Sequence, residues 1–364
     1  MFANTKVVLC SIVKNESRVI CRMLDSLRDG DRCVVDAISI LDTGSTDNTK
    51  ELIEGWGKKH GIPTKVHSKP FTNFGDSRTL SFKLAKDTFP SDYTLLLDAD
   101  FRLQIKKWDN PPLTHDCYMI QQCSDTLKYW NIRLIKTSLD WICRGVTHEY
   151  WYSPQHSEAL LDCLVIDDRE DGGCKDDKLT RDTKLLLAGI KSKKTPDDLR
   201  IRYYFYLGQT YKDRKMYTEA IDYFRKRIQA GGWVEEVFYS IYQLANCLMA
   251  LKREAEAIVT YLDAWNLHPS RIEPLLPVIS YYRHAGKYNL AFLFALRAKE
   301  VPLSKDLLFV DARCWDYLLD YELSIISFYC DEKELGKEAC MKVLASRAPD
   351  YLKESVKSNL KFYQ

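Results

Sequence analysis

Several large classes are excluded by what this chain lacks. No apolar run approaches the ~20 residues of a membrane-spanning helix. The opening Met1-Phe-Ala-Asn-Thr-Lys6-Val-Val-Leu passes almost directly into a strand-like run, without the charged-then-apolar layout of a leader. Twelve cysteines are present but no Cys-x-x-Cys pair, which argues against a structural zinc site and against a disulfide framework. The thiols are read as reduced and mostly buried, in a cytosolic-type compartment. Charge of one sign is missing too: 53 basic residues against 51 acidic ones leave a formal +2, so no broad basic face for nucleic acid is expected. A Gly-rich basic loop of the kind that cradles a triphosphate is also absent, which places a nucleotidyltransferase low.

What is present is organised around Tyr93-Thr-Leu-Leu-Leu-Asp98-Ala-Asp100. An apolar run ending in two carboxylates reads as a buried strand of a parallel sheet with acids at its carboxyl end, the edge where open α/β sheets bind ligands. Two carboxylates one residue apart repel unless a cation intervenes, and a hard divalent ion is the natural one; the plain alternative is a solvated strand end. Before it, Val7 to Val13, Ala37 to Leu41 and Thr64 to Ser68 read as strands, each followed by helical spacing. The second strand runs into Asp42-Thr-Gly-Ser-Thr-Asp47-Asn-Thr49, a turn feeding a helix N-terminus that suits a diphosphate or ribose. This order makes a largely parallel sheet that can bring Glu16, Asp42, Arg78, Asp98 and Asp100 to one crevice. Beyond it, Cys117–Cys123, Tyr129–Lys136, Trp141–Tyr152 and Leu160–Ile166 read as short strands extending the sheet antiparallel. They carry His148-Glu149 among aromatics; an imidazole beside carboxylates is compatible with manganese as well as magnesium.

Taken together, Lys14-Asn15-Glu16, Leu41 to Thr49, Phe71 to Arg78 and Leu97-Asp98-Ala99-Asp100 resemble the successive motifs of family 2 glycosyltransferases of the GT-A fold. The resemblance covers the N-terminal half. It implies a Rossmann-like α/β domain over residues 1–168 that takes a sugar from a nucleotide-diphosphate donor, UDP-sugar first, with Mn2+ or Mg2+ and with inversion. By it, Ser11, Val13, Asn15, Glu16, Asp42, Gly44, Arg78, Asp98, Ala99 and Arg133 would surround the donor, with Arg78 and Arg133 adding fixed positive charge. Asp100, with His148 and Asp98, would hold the metal. Glu149 is the expected base and Asp125 its reserve. His148-Glu149 is similar to the His-Glu pair of a subset of this family that includes lipopolysaccharide-core and peptide S-glycosyltransferases. The family's second acid in the turn is Thr43 here.

Residues 169–200 read as a charged link and a connecting helix, with Gly172-Gly173 as a hinge for a lid and Asp176 or Asp177 near an acceptor, or as a plain surface linker. From Tyr203 the pattern repeats at about 34 residues. Leu207-Gly208, Tyr211, Ala220 and Phe224 begin it, Leu244-Ala245, Ala257 and Tyr261 follow, then Tyr282, Ala291, Ala295 and Ala298, and a degenerate copy with Ile326, Ala339 and Val343 after an inserted helix near Trp315. Residues 201–364 are therefore expected to form an all-α tetratricopeptide superhelix of about four helix pairs. Its aromatics are core residues by default, with some available for a protein, peptide or glycan acceptor, and self-association to a homodimer is an ordinary use of such a stack. Two functional classes compete: a hexosyltransferase-type enzyme whose repeats select the acceptor, and an inactive sugar-nucleotide fold that binds partners through its repeats.

Overall fold

A computed structural model describes residues 1–110, 112–123, 128–169, 171–172 and 178–363. The chain divides into two compact units, Met1–Lys193 and Lys194–Gln364. The division falls within the stretch read as a link.

In the first unit the apolar alternation of the early strands decides the layering. β1 (Val7–Val13), β2 (Ala37–Asp42) and β3 (Thr64–Ser68) are joined by α1 (Ile20–Asp25) and α2 (Thr49–His60), and α3 (Phe74–Thr88) leads to β4 (Tyr93–Leu96). Val7, Leu9 and Val13 point to one face with Ile38, Ile40, Tyr93 and Leu95, where Met23, Leu24, Ile53 and Trp56 of α1 and α2 cover them. Val8, Cys10, Ala37 and Leu96 point to the other, under Phe82 and Ala85 of α3 and Trp141. With both faces covered, every residue of β2 and β4 is buried.

β3, β2, β1 and β4 pair in parallel, as their order in the sequence predicts. β4 stops at Leu96, so Asp98 and Asp100 stand on a turn, closed by the Phe101 amide on the Asp98 carbonyl at 3.1 Å, and not on the strand's last residues. That turn leads to an additional strand, β5 (Phe101–Ile105), which pairs antiparallel at the far edge of the sheet with β10 (Glu158–Asp168). Between β4 and β10, β6 (Cys117–Cys123) and β7 (Lys128–Lys136) complete an eight-stranded order β3-β2-β1-β4-β7-β6-β10-β5. The extension is mixed where antiparallel pairing was expected throughout, because β10 runs parallel to β6. The run Trp141–Tyr152 does not join the sheet. It folds as a separate hairpin of β8 (Ile142–Arg144) and β9 (Tyr150–Tyr152), with His148 at a positive φ of 51° in its turn. α4 (Lys178–Lys191) closes the unit.

The second unit is built of antiparallel helix pairs: α5 (Asp197–Asp213) with α6 (Tyr217–Ala230), α7 (Val234–Ala250) with α8 (Glu254–Leu267), α9 (Leu275–His284) with α10 (Tyr288–Lys299), α11 (Leu319–Tyr329) with α12 (Lys333–Ala345), then α13 (Asp350–Leu360). The repeat residues pack as their types require. Ala220, Phe224, Ala245, Leu248, Ala257 and Tyr261 form one buried cluster, and Ala291, Ala295, Ala298, Leu323, Ile326 and Ala339 the next. At Gly208 the Phe224 ring occupies the place a Cβ would take. The expected inserted helix near Trp315 is instead a π turn, Cys314–Leu318, leading into α11. The segment before it lies against α5 and α7: Phe309 packs on Tyr239 at 5.0 Å, and the fully buried Arg271 donates to the carbonyls of Leu308 and Phe309 at 3.1 Å. Tyr239, an aromatic of the repeats, is thus covered from within the unit.

Candidate functional site

The carboxyl ends of β1 and β2 meet as one laced structure. Asn15, at φ 56°, accepts from the Thr46 amide through Oδ1 at 2.7 Å and donates its own amide to the Ser45 hydroxyl at 2.9 Å. The amides of Glu16 and Ser17 donate to Thr49 Oγ1 (2.8 Å) and Asp47 (3.2 Å). Although partial burial pushes it up, Asp47 is held down at about 2 by hydrogen bonds from Thr49 and Ser17. Asp42 is buried; it accepts from the Gly44 and Ser45 amides and pairs with Lys50 at 3.7 Å. Its visible task is to hold a turn that needs Gly44 at φ 113°. Thr43, standing where an acid was expected, donates to the Val13 carbonyl at 3.0 Å and pins the turn to β1.

Below this loop, α3 is pressed onto the hairpin. The amides of Phe74 and Gly75 donate to the carbonyls of Val146 (3.1 Å) and Gly145 (3.0 Å), and the carbonyls of Cys143 and Gly145 fill the space a Cβ on residue 75 would need. One turn along α3, Arg78 reaches two carboxylates: Asp98 at 2.6 Å through Nη2 and Glu149 at 2.6 Å through Nε. Burial opposes its charge, but the two anions outweigh burial and raise its pKa. Asp98 also faces Arg133 at 3.6 Å; Arg133 donates to Gln122 at 2.8 Å, and Gln122 to Asp168 at 2.8 Å. The Arg133 Nε is buried with no hydrogen-bond partner among the described residues, a donor left over beside the acids.

Asp100 lies at a second focus. The Gly172 amide donates to its Oδ2 at 3.3 Å. A Cβ at residue 172 would stand 3.2 Å from Asp100 Oδ2 and 3.3 Å from Glu16 Oε2, so two carboxylates face one small volume. Asp171 is gripped by Arg22 at 2.5 and 2.8 Å, which ties this short segment down over Asp100. Oxygen donors of this kind fit magnesium or manganese, which use one or two carboxylates and complete their shell with water and phosphate. Asp98, Asp100 and His148 do not form a compact trio: among the described residues the only group of three whose ligand atoms lie within 4.8 Å of one another is Cys117, His156 and Glu158. Asp98 pairs with Arg78 and Arg133, whereas Asp100 faces Glu16 across residue 172.

α4, read from sequence as a connecting helix, brings the residue that reasoning missed. Arg181 stacks its guanidinium 4.9 Å over the Phe74 ring, and Phe71 meets Phe74 edge-on at 5.1 Å. With Val13, Lys14, Glu16 and Thr43 they line a cleft of about 150 Å³, room for one planar base. No local pattern marks Arg181; only the return of α4 to this cleft does. Of the other expected residues, Ser11 and Ala99 are buried in the sheet and core, and Val13, also buried, borders the cleft. Glu149 is bound to Arg78, the arrangement of a residue that also positions another. Asp125, Gly173, Asp176 and Asp177 lie outside the described residues.

Residues 9–110 match the family model "Glycosyl transferase family 2". A TPR repeat-containing protein of Synechococcus elongatus is 32% identical over 106 residues, 29% of this chain and 23% of its own length, so the match spans under a quarter of that relative. Among solved structures, S. aureus TarS is similar with a TM-score of 0.39 at 12% identity over 69% of this chain and 54% of its own, and YrrB, a TPR protein, with 0.36 at 19% identity over 50% and 86%. No helix among the described residues is long and apolar enough to cross a membrane. The matched stretch, residues 9–110, holds the laced turn, Arg78 and the Asp98–Asp100 pair, and so is similar to glycosyl transferase family 2; an array of paired helices follows it in the chain.

Proposed function

We propose that the chain is a metal-dependent, inverting glycosyltransferase that moves a sugar from a nucleotide-diphosphate donor, UDP-sugar first, to a protein, peptide or glycan acceptor, with the repeats helping to select it. The observation that carries this reading is the pairing of two foci at the end of β4: a guanidinium bridge, Arg78 between Asp98 and Glu149, and a carboxylate pair, Asp100 facing Glu16.

In this reading the base of the donor enters the Phe71–Phe74–Arg181 cleft and its ribose lies by Asp98. Asp100, and Glu16 across from it, would hold Mn2+ or Mg2+; such an ion supplies Lewis-acid stabilisation of the leaving diphosphate. Arg78 and Arg133 add fixed positive charge in a mostly buried site, where it is worth more than in water. Glu149, held in place by Arg78, accepts the acceptor's proton as its oxygen or sulfur attacks the anomeric carbon.

The test is a panel of nucleotide sugars with manganese, magnesium or chelator, reading released nucleotide diphosphate. Metal-dependent release from one donor supports the reading. Silence across the panel, with no nucleotide binding by calorimetry, supports the second one, a partner-binding scaffold. That alternative draws on the cleft over Asp100, where the Gly172 amide and the Arg22–Asp171 pair cover the acid. A chain cut after Thr195 is expected to keep donor hydrolysis and lose transfer to the true acceptor; equal loss of both would make the repeats a mere support. Sedimentation of the full chain tests a homodimer through the repeats.

A further inference from the structure

We propose that Cys117, His156 and Glu158 form a zinc site that clamps the 153–157 loop to the sheet, separate from sugar transfer.

Three different donors converge there. The Cys117 sulfur, a His156 ring nitrogen and a Glu158 carboxylate oxygen lie within 4.8 Å of one another. A thiolate, an imidazole and a carboxylate together suit zinc, whereas the harder manganese and magnesium ions disfavour a thiolate. The trio is remote in sequence from any metal motif, which is why Cys spacing misses it.

The backbone holds these positions before any ion arrives. Cys117 opens β6 and Glu158 opens β10, and the two are register partners in a parallel pair, so their side chains leave the sheet on one face. The intervening loop is tied to β6: the amides of Asp116 and Cys117 donate to the Ser157 carbonyl at 3.0 Å, and the Ser157 amide and hydroxyl donate to Asp116 at 3.0 and 2.8 Å. His156 is oriented as metal ligands are. Its Nδ1 lies 2.9 Å from the Ser153 carbonyl, which assigns the proton there and leaves Nε2 as the acceptor, 4.0 Å from Glu158. The buried Trp141 ring backs the imidazole at 5.0 Å. Cys117 is fully buried and Glu158 exposed, so an ion would sit at the rim of the core with water as its fourth ligand.

The place is at the end of the sheet opposite Asp98. Cys117 faces Ile135 on β7, and Ile135 faces Thr94 at the start of β4. Binding exchanges the Cys117 thiol proton, released to solvent, for a sulfur–zinc bond, with no redox change.

The test uses the tag-free full chain, stripped with chelator and titrated with Co2+ and then Zn2+. Stoichiometric Co2+ is expected to give a sulfur-to-cobalt charge-transfer absorption in the near ultraviolet that Zn2+ bleaches, and Zn2+ is expected to raise Tm. His156→Gln and Glu158→Gln, both at accessible positions, should lose the band and the Tm shift with unchanged circular dichroism, and Cys117→Ser should lose them as well. Asp100→Asn should keep both, which separates this ion from one at the donor site. Absence of the band with millimolar Co2+, or a band that persists in His156→Gln and Cys117→Ser, overturns the site whether or not the protein transfers sugar.

Discussion

Arg78 and Glu149 lie 71 residues apart in sequence and 2.6 Å apart in space, joined through Nε and a carboxylate oxygen. The contact exists because Gly75 lets the first turn of α3 rest on the hairpin backbone, and it fixes the position of an arginine that also grips Asp98.

Gly75→Ala should therefore act on both fold and site. Its new methyl meets the carbonyls of Cys143 and Gly145, backbone atoms that cannot swing aside. A loss of roughly 1–3 kcal/mol is the ordinary result of such overpacking. Denaturant unfolding measures it, and donor hydrolysis should fall with it as Arg78 loses its register with Glu149.

Removing one member of the Arg78 bridge leaves an anion mostly buried without its partner. Arg78→Ala is expected to cost on the order of 3 kcal/mol, the scale for breaking such a pair. Glu149→Gln keeps a hydrogen-bond acceptor for Arg78 and should spare Tm while abolishing transfer. Full transfer activity in Glu149→Gln would remove Glu149 as the base.

Asp100→Asn should abolish metal-dependent nucleotide release with Tm nearly unchanged, since the carboxylate sits on a turn and not in the core. Gly172→Ala should produce a milder version of the same defect. Its Cβ would lie 3.2 Å from Asp100 Oδ2 and 3.3 Å from Glu16 Oε2, which would crowd the proposed ion while leaving both carboxylates in place. A raised metal requirement at unchanged kcat is the expected reading; normal metal dependence in Asp100→Asn would sink the assignment.

Arg181→Ala should raise KM for the donor about 5-fold with kcat retained, the scale of one cation–π contact of roughly 1 kcal/mol. Arg181→Lys should recover only part of the loss, because the stacked planar group is gone. A pure kcat effect would contradict the placement of the base in this cleft.

Acid should loosen the first unit in a defined window. Asp47 is held at about 2 by Thr49 and Ser17 against the upward push of burial, and Asp116 at about 2 by the Ser157 amide and hydroxyl, both from an ordinary 3.8. A pKa lowered by folding contributes stability that is complete above the unfolded value and is lost as protons bind, so the loss falls between about pH 4 and pH 2. Thermal melts across that range should show it, and Asp47→Asn with Asp116→Asn should flatten it.

Sequence alone determined the parallel half of the sheet, the turn after β2, the arginine and acid motifs and the repeat frame of the second unit. Each is written in local periodicity or in a short run of turn chemistry, and the physical driving force, burial of one alternating or 3.6-period face, acts on neighbours in the chain. Even the buried Val8/Leu9 alternation is legible there once both faces are known to be covered. The rest depended on partners brought from far away. The sequence could place Asp98 close to Asp100 but not assign one to Arg78 and the other to Glu16 and Gly172, because an offset of two residues on a turn sends the two carboxylates to different neighbours. It could not show that β5 leaves for the far edge of the sheet, that Trp141–Tyr152 folds into a separate hairpin against α3, or that α4 returns Arg181 to Phe74. Those are decided by long-range packing, where the identity of a residue matters less than which surface the fold carries it to.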